Sequence, residues 1–273
     1  MATQAEKGHV FRALHNRDCA FLIPNPWDVG TARLLAHVGF EALATTSAGY
    51  AFSAGRLDNT IDRDEMMAHV RAIACATDLP VSADLGNGFG DDPKIAATSI
   101  GLAAAAGLVG ASIEDATGQS SDSLYDLSHA TERIRAAAEV AHALPYTFTL
   151  TARAENYLVG QRNLKDTIRR LQAYQDAGAD VLYAPGLTSK DDIAAVVSSV
   201  DRPVNVLMGL KGVRLDVATL SGIGVKRVSV GSALSRAALG AFLRAAREMR
   251  DRGTFTFSEE AVSFADISAI FAP

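Results

Sequence analysis

The sequence predicts an α/β fold of the (β/α)8 barrel type, and three observations carry that reading. A unit of Ala-rich helix, glycine, short apolar strand and polar loop recurs along the chain. Strand and helix patterns alternate eight times with no long linker between them. The 273 residues are close to the roughly 250 of a lone barrel of this kind. The unit is plainest in LLAHVGFEALATTSAG, LAAAAGLVGASIED, YQDAGADVLYAPG and LSGIGVKRVSVGS. Its glycine is read as a helix C-cap, where a left-handed backbone carries no Cβ penalty.

Taken in chain order, strands are expected near 20–24, 41–46, 80–84, 109–114, 147–153, 180–185, 202–208 and 227–231. Their apolar runs suit a parallel sheet covered on both faces. Helical patterns between them include 61–76, 93–106, 131–142, 164–177 and 235–250. An open doubly wound sheet is the alternative, but IPNPWDVG follows the first strand where its Gly-rich fingerprint would stand. Residues 1–273 are read as one domain. The tail 254–273 (TFTFSEEAVSFADISAIFAP) forms an extension that packs on the barrel or on a neighbouring subunit.

Composition narrows the function classes. A net charge of −5 with dispersed Lys and Arg offers no field for nucleic acid or an anionic membrane. Two cysteines, Cys19 and Cys75, exclude a disulfide framework and an all-cysteine zinc site, and read as ordinary thiols. No apolar run reaches a membrane span, and the polar first residues hold no signal-peptide core. A cytoplasmic enzyme is the expectation.

Barrel enzymes carry their chemistry at strand C-termini and in the loops that follow. Those places hold Asn25, Trp27 and Asp28; Thr46 and Ser47, with Asp58 further along; Asp84; Glu114 and Asp115; Arg153 and Glu155; Tyr183 and Pro185; Asn205 and Lys211; and Ser232. Trp27 and Asn205 are taken as substrate-facing. Carboxylates at neighbouring strand ends suit Mg²⁺, which prefers oxygen ligands and keeps several waters. Asp84 and Glu114 could instead simply pair with Arg153. The Arg153 fork, however, matches a substrate carboxylate in a two-point way that lysine would not. None of the six histidines falls at a strand end, which argues against zinc hydrolase and Ser-His-Asp chemistry. GNGFG (86–90) lacks P-loop spacing and is a weak phosphate signal.

In order and at plausible separations, NPWDVGTARLLAHVGFEALATTSAG (25–49), LPVSADLGNGFG (79–90), VGASIED (109–115), TLTARAENYL (149–158), AGADVLYAPG (177–186) and RPVNVLMG (202–209) resemble the isocitrate lyase/phosphoenolpyruvate mutase superfamily. They resemble its mutase-like branch with a divergent gating loop. The resemblance implies a modified (β/α)8 barrel, a homotetramer with the last helix swapped between subunits, and Mg²⁺ with a 2-oxo acid or its enolate. It implies that Ser47, Ala48 and Gly49 hold substrate and that Asp58 is an acid near the metal. Asp84 would be the direct metal ligand, Glu114 the acid that reaches the metal largely through water, and Arg153 the substrate-carboxylate arginine. Three departures stand out: Gly86 replaces a second acid, Tyr183 and Pro185 replace an acid or His, and ATGQSSDSLYD (116–126) lacks the lyases' Cys and His. Ser120, Ser121 and Ser123 read as ordinary loop residues.

The resulting expectation is a Mg²⁺-dependent carbon–carbon lyase or decarboxylase of a small 2-oxo acid or related dicarboxylate, working through an enolate. It should not be an efficient isocitrate or 2-methylisocitrate lyase, since its loop has no thiolate or imidazole. The alternatives are a phosphonopyruvate-type P–C enzyme, a metal-free Schiff base on Lys211, and a non-catalytic 2-oxo acid binder.

Overall fold

The computed structural model describes residues 2–118 and 123–272. Eight parallel strands form a nearly closed barrel: β1 (Phe21–Ile23), β2 (Leu43–Ala44), β3 (Val81–Asp84), β4 (Gly110–Glu114), β5 (Thr149–Arg153), β6 (Val181–Tyr183), β7 (Val204–Leu207) and β8 (Arg227–Ser229). They run in the order β1-β8-β7-β6-β5-β4-β3-β2. Between β1 and β2 the wall is completed by the Ala44 N–H donating to the Pro24 carbonyl (3.1 Å) and Asn25 Nδ2 donating to the Thr45 carbonyl (3.1 Å). All eight expected strands are present, each within the predicted range. The repeat glycines Gly39, Gly107, Gly178 and Gly224 have φ of 96°, 96°, 106° and 89°, the left-handed stop the sequence pattern requires.

The strands are not apolar on both faces. Side chains alternate across a strand, and here the outward set is apolar while the inward set is polar. Ala111 and Ile113, Leu150 and Ala152, Leu182, Val204 and Val206, and Val228 belong to the shell core under the helices. The alternating residues Ser112 and Glu114, Arg153, Tyr183, Asn205, and Arg227 and Ser229 line a cavity inside the barrel. A barrel interior is ordinarily filled by branched apolar side chains; this one has been opened and made polar. Small outward residues let the helices sit close. In α5 (Pro93–Ala105) and α6 (Leu127–His142), Ala96, Ala103 and Ala104 are buried in one helix and Ala137, Ala138 and Ala141 in the other.

The N-terminal mouth is plugged by α1 (Gln4–His15), a helix not foreseen from its polar sequence. Its Thr3–Glu6 capping box starts it, and its sparse apolar residues Phe11 and Leu14 are fully buried against Phe21, Ile23, Ala42 and Val109. At its end His15 is buried, with Nδ1 2.8 Å from the Phe11 carbonyl. A carbonyl only accepts, so Nδ1 carries the proton and the Nε2 lone pair faces Arg227 Nη1 at 3.4 Å. Burial, then the Arg227 charge, pushes the His15 pKa down to about 3. The unfolded chain therefore binds the extra proton first. His15 costs the fold nothing above about pH 6.5 and destabilises it as pH falls toward about 3, by up to about 1.4 kcal/mol per unit. Between pH 7 and 5 the wild type should lose about 2 kcal/mol more than His15→Gln in urea unfolding; equal losses would refute this.

The eighth barrel helix does not return to the outer ring. Of the 20 residues of α10 (Ala233–Arg252), only Ser235 is buried. Leu239, Phe242, Leu243 and Met249 form an exposed stripe at helical spacing, Phe242 being 68 % exposed. The tail then folds back as α11 (Phe264–Phe271) onto α2 (Val29–Val38), where Arg33 Nη2 donates to the Phe271 carbonyl at 3.0 Å. Cys19 and Cys75 are free. Among the described residues, no helix is long and apolar enough to cross a membrane.

Candidate active site

The cavity, about 500 Å³, opens at the C-terminal ends of the strands. At its mouth Arg153 spreads its fork over three carboxylates: Nη1 to Asp84 Oδ1 at 2.7 Å, Nη2 to Glu114 Oε2 at 3.0 Å and Nε to Glu155 Oε1 at 2.9 Å. The counter-ion role weighed from sequence is thus real. It uses three of the five guanidinium N–H groups.

Asp84 is fixed by its strand and by the next loop. Its backbone N–H donates to Thr45 Oγ1 (3.0 Å), and its Oδ2 accepts from the Ser47 N–H (3.2 Å) and Oγ (3.0 Å). Ser47 is the first residue of α3 (Ser47–Ser53), whose N-cap is Thr46. Its N–H has no partner within the helix and so turns to the carboxylate. Ser47 Oγ also lies 3.1 Å from Asp58 Oδ1, so Asp58 and Asp84 compete for a single hydroxyl proton.

This acid-rich cluster shifts its own members. Burial, then repulsion from Glu155, Asp84 and Asp115, pushes Glu114 well above the usual carboxylate range against the pull of Arg153. Glu155 is raised by burial and by Asp115 and Asp84, and Asp58 by burial and Asp84. Burial would lower Arg153, but Glu114, Glu155 and Asp84 together hold it well above its ordinary value.

The donor set fits a magnesium ion. All candidate ligands are oxygens, and carboxylates outnumber cations at the mouth, an imbalance a divalent cation would relieve. Among the described residues no group of three or more acidic, histidine or cysteine side chains is arranged to hold a metal ion by itself. A cation would rest on one or two carboxylates and keep water elsewhere in its shell, the habit of Mg²⁺. A side cavity of about 230 Å³, lined by Ser47, Asn59, Gly86, Asn87 and Glu114, gives that water room. Gly86, with φ of 53°, stands where a second acid was missed.

Ser47, Ala48, Asp58, Asp84, Glu114, Arg153 and Asn205 all line the main cavity. Trp27 and Gly49 do not. Gly49 is packed inside α3, its N–H committed to Thr46 Oγ1 at 3.2 Å, and a Cβ there would sit 3.2 Å from the Trp27 Cβ. Asn205 has its amide held between Ser229 Oγ (3.0 Å) and Arg227 Nε (2.9 Å). Lys211 is exposed and does not line the cavity. Of the loop serines, Ser123 lines it, whereas Ser120 and Ser121 lie outside the described residues.

Asp115 turns away from the cavity as an anchor. It accepts from the Glu155 N–H (2.8 Å), Tyr174 Oη (2.5 Å) and Arg170 Nη1 (3.0 Å). Two GNGFG carbonyls, those of Asn87 and Gly90, and that of the following Asp91 close around the Arg133 guanidinium, which donates to all three. That run is a brace for the β3 loop and not an anion cradle. Sequence reasoning passed over Ser82, Ser112, Arg227 and Ser229, which also line the cavity. Their signal was polar residues at alternate positions in otherwise apolar strands.

Comparison with known proteins identifies the relatives of the chain. The family model of phosphoenolpyruvate phosphomutase matches residues 11–250. A solved structure from Burkholderia cenocepacia J2315, named provisionally as a lyase/mutase, is 63% identical with a TM-score of 0.97, covering 99% of this chain and 97% of its own. An uncharacterised protein of Mycobacterium tuberculosis strain H37Rv is 34% identical over 244 residues, 88% of this chain and 89% of that protein. Oxaloacetate decarboxylase of Chromohalobacter salexigens is 28% identical over 248 residues, 88% and 84% of the two chains, and 2-methylisocitrate lyases match at similar identity. A polar barrel mouth built on Asp84, Glu114 and Arg153 and a family match over most of the chain lead to one conclusion: this protein belongs to the phosphoenolpyruvate phosphomutase family, among the carbon–carbon lyases and mutases of the PEP mutase/isocitrate lyase superfamily.

Proposed function

We propose that this protein is a Mg²⁺-dependent lyase acting on a small 2-oxo acid, and that its favoured reaction is decarboxylation of a 2-oxo dicarboxylate. One observation carries the reading. Asp84 and Arg153 meet at 2.7 Å on the wall of a cavity whose other polar residues are hydroxyls, amides, carboxylates and one more arginine.

Asp84 would be the main protein ligand of the ion, with Glu114 and Asp58 orienting its waters. Bound there, Mg²⁺ would supply charge stabilisation for an oxygen that becomes an enolate. Arg153 would hold the substrate carboxylate through its two remaining N–H groups, while Glu155 and Asp115 keep its fork in place. Ser47 and Ala48, at the start of α3, would position the oxo acid from the opposite wall. A decarboxylation asks little proton transfer of the protein. The electrons of the broken C–C bond pass to the oxo group, CO₂ leaves, and the enolate carbon can take its proton from water. Cleavage of a 2-hydroxy acid would also need a base for the hydroxyl, and loop 116–126 has neither Cys nor His. The oxaloacetate decarboxylase relative supports the same choice.

The protein is further proposed to be a cytoplasmic homotetramer in which α10 crosses to a neighbouring barrel. The exposed stripe on that helix supports this.

The test is an assay of pyruvate formation with Mg²⁺. Oxaloacetate should be decarboxylated well above its spontaneous rate, and 2-methylisocitrate and phosphonopyruvate should not be turned over appreciably. Release of pyruvate from 2-methylisocitrate at ordinary enzyme rates would overturn the choice. Tight oxalate binding without turnover of any of the three would favour the non-catalytic binder.

A further inference from the structure

Among the described residues, Arg227 is a buried cation with no acid beside it. It is 5 % exposed, although it lines the cavity. Its Nε donates to Asn205 Oδ1 at 2.9 Å and its Nη2 to Thr151 Oγ1 at 3.0 Å, while Nη1 faces His15 Nε2 at 3.4 Å. All three partners are neutral. Burial pushes its pKa down to about 10, and the Tyr183 phenol opposes this. The other deep guanidiniums differ. Arg153 holds three carboxylates, Arg170 holds Asp115 and Asp166, and Arg133 caps three backbone carbonyls.

The register shows where this cation sits. Glu114, Arg153, Tyr183, Asn205 and Arg227 pair in turn across β4 to β8, so they form one inward row that descends around the barrel. Thr151, which Nη2 reaches, lies two residues below Arg153 on the same face of β5. The Arg227 head is therefore one inward layer, about 7 Å of strand, beneath the Arg153 position. Tyr183 and Asn205 lie between the two in that row, and the Tyr183 ring is 5.3 Å from the Arg153 Cζ.

We propose that Arg227 forms the floor of the substrate cavity and receives a second carboxylate of the substrate, so that the site selects 2-oxo dicarboxylates over 2-oxo monocarboxylates. The proposal rests on the 2-oxo acid reading above and adds the far end of the substrate to it. A desolvated charge with neutral partners is a poor brace, since neutral or apolar side chains of similar size would serve at less cost. It is a good receptor. Asn205, Thr151 and His15 fix its plane through three N–H groups, and two remain on Nη1 and Nη2. A carboxylate that met them would make the charge-assisted contact the fold withholds.

The experiment is calorimetric titration of the full-length protein at saturating Mg²⁺ with 2-oxobutyrate and with 3,3-difluorooxaloacetate, which carries a second acid. Wild type should bind the dicarboxylate at least about tenfold more tightly. Arg227→Gln, which keeps a donor but loses the charge, should weaken the dicarboxylate by on the order of thirtyfold and leave 2-oxobutyrate within about threefold. Equal losses for both probes, or no loss for either, would make Arg227 a brace and overturn the proposal. If the Gln variant does not fold, wild type alone still decides, because equal binding of the two probes overturns it. Arg227→Lys, which retains the charge, should keep the preference for two acids. Binding of 2-oxobutyrate without preference removes only the role of Arg227. Failure of wild type to bind either probe removes the 2-oxo acid reading as well.

Discussion

Asp84→Ala should abolish Mg²⁺ binding and lower turnover by on the order of a thousandfold or more, with the barrel intact. Asp84 ends β3, its backbone tied to Thr45 and one carboxylate oxygen turned to Ser47 on the cavity wall. Losing it removes the acid closest to the candidate ion site. Glu114 and Glu155 still hold Arg153, so the guanidinium is not stranded. The fold should accordingly survive, because breaking a buried pair is costly only when a charge is left uncompensated. Titration calorimetry for Mg²⁺ and a melting curve check the two halves. Unchanged Mg²⁺ affinity in the variant would sink the metal assignment.

Arg153→Lys should weaken oxalate, a planar mimic of a 2-oxo acid enolate, by roughly thirtyfold at saturating Mg²⁺, about 2 kcal/mol. The structure adds an expectation that sequence alone did not contain. A guanidinium reaches Asp84, Glu114 and Glu155 with three different nitrogens, whereas an ammonium is a single point. The lysine variant should therefore also lose stability, since Glu114 and Glu155 are already pushed toward their protonated forms by burial and mutual repulsion. The two effects separate by measurement. A lower melting temperature with unchanged oxalate affinity would leave Arg153 a counter-ion for its neighbours and no more.

What the sequence made legible was periodic, and what it hid was inward. The glycines that stop helices and the strands that follow them repeat often enough to count, and Asp84, Glu114 and Arg153 stand at strand ends where a barrel places its chemistry. The plug helix α1 was missed because, of its few apolar residues, only Phe11 and Leu14 are buried while Val10 faces solvent, and one-sided burial of a short helix leaves a faint pattern. The polar inward row is hard to see because the valines of a stretch such as KRVSV mark a strand without saying which of its residues face inward. Only alternation separates Arg227 and Ser229 from Val228. Arg227 was hidden twice, since it starts its strand, at the end of a barrel where residues serve stability. Trp27 and Gly49 sit in the right loops, but which way a loop residue faces is decided by packing that no spacing rule records.

The eighth helix has a consequence for how the protein lives in dilute solution. A chain that leaves 19 of 20 residues of a barrel helix unburied has not finished its own hydrophobic shell. If α10 completes a neighbour instead, folding and association become one equilibrium, and stability acquires a concentration. The melting temperature should then climb as protein concentration is raised, and Phe242→Asp should flatten that dependence without touching the cavity. Such a protein answers to its own abundance: scarcity would dissolve the assembly before any change of pH or substrate reached the cavity.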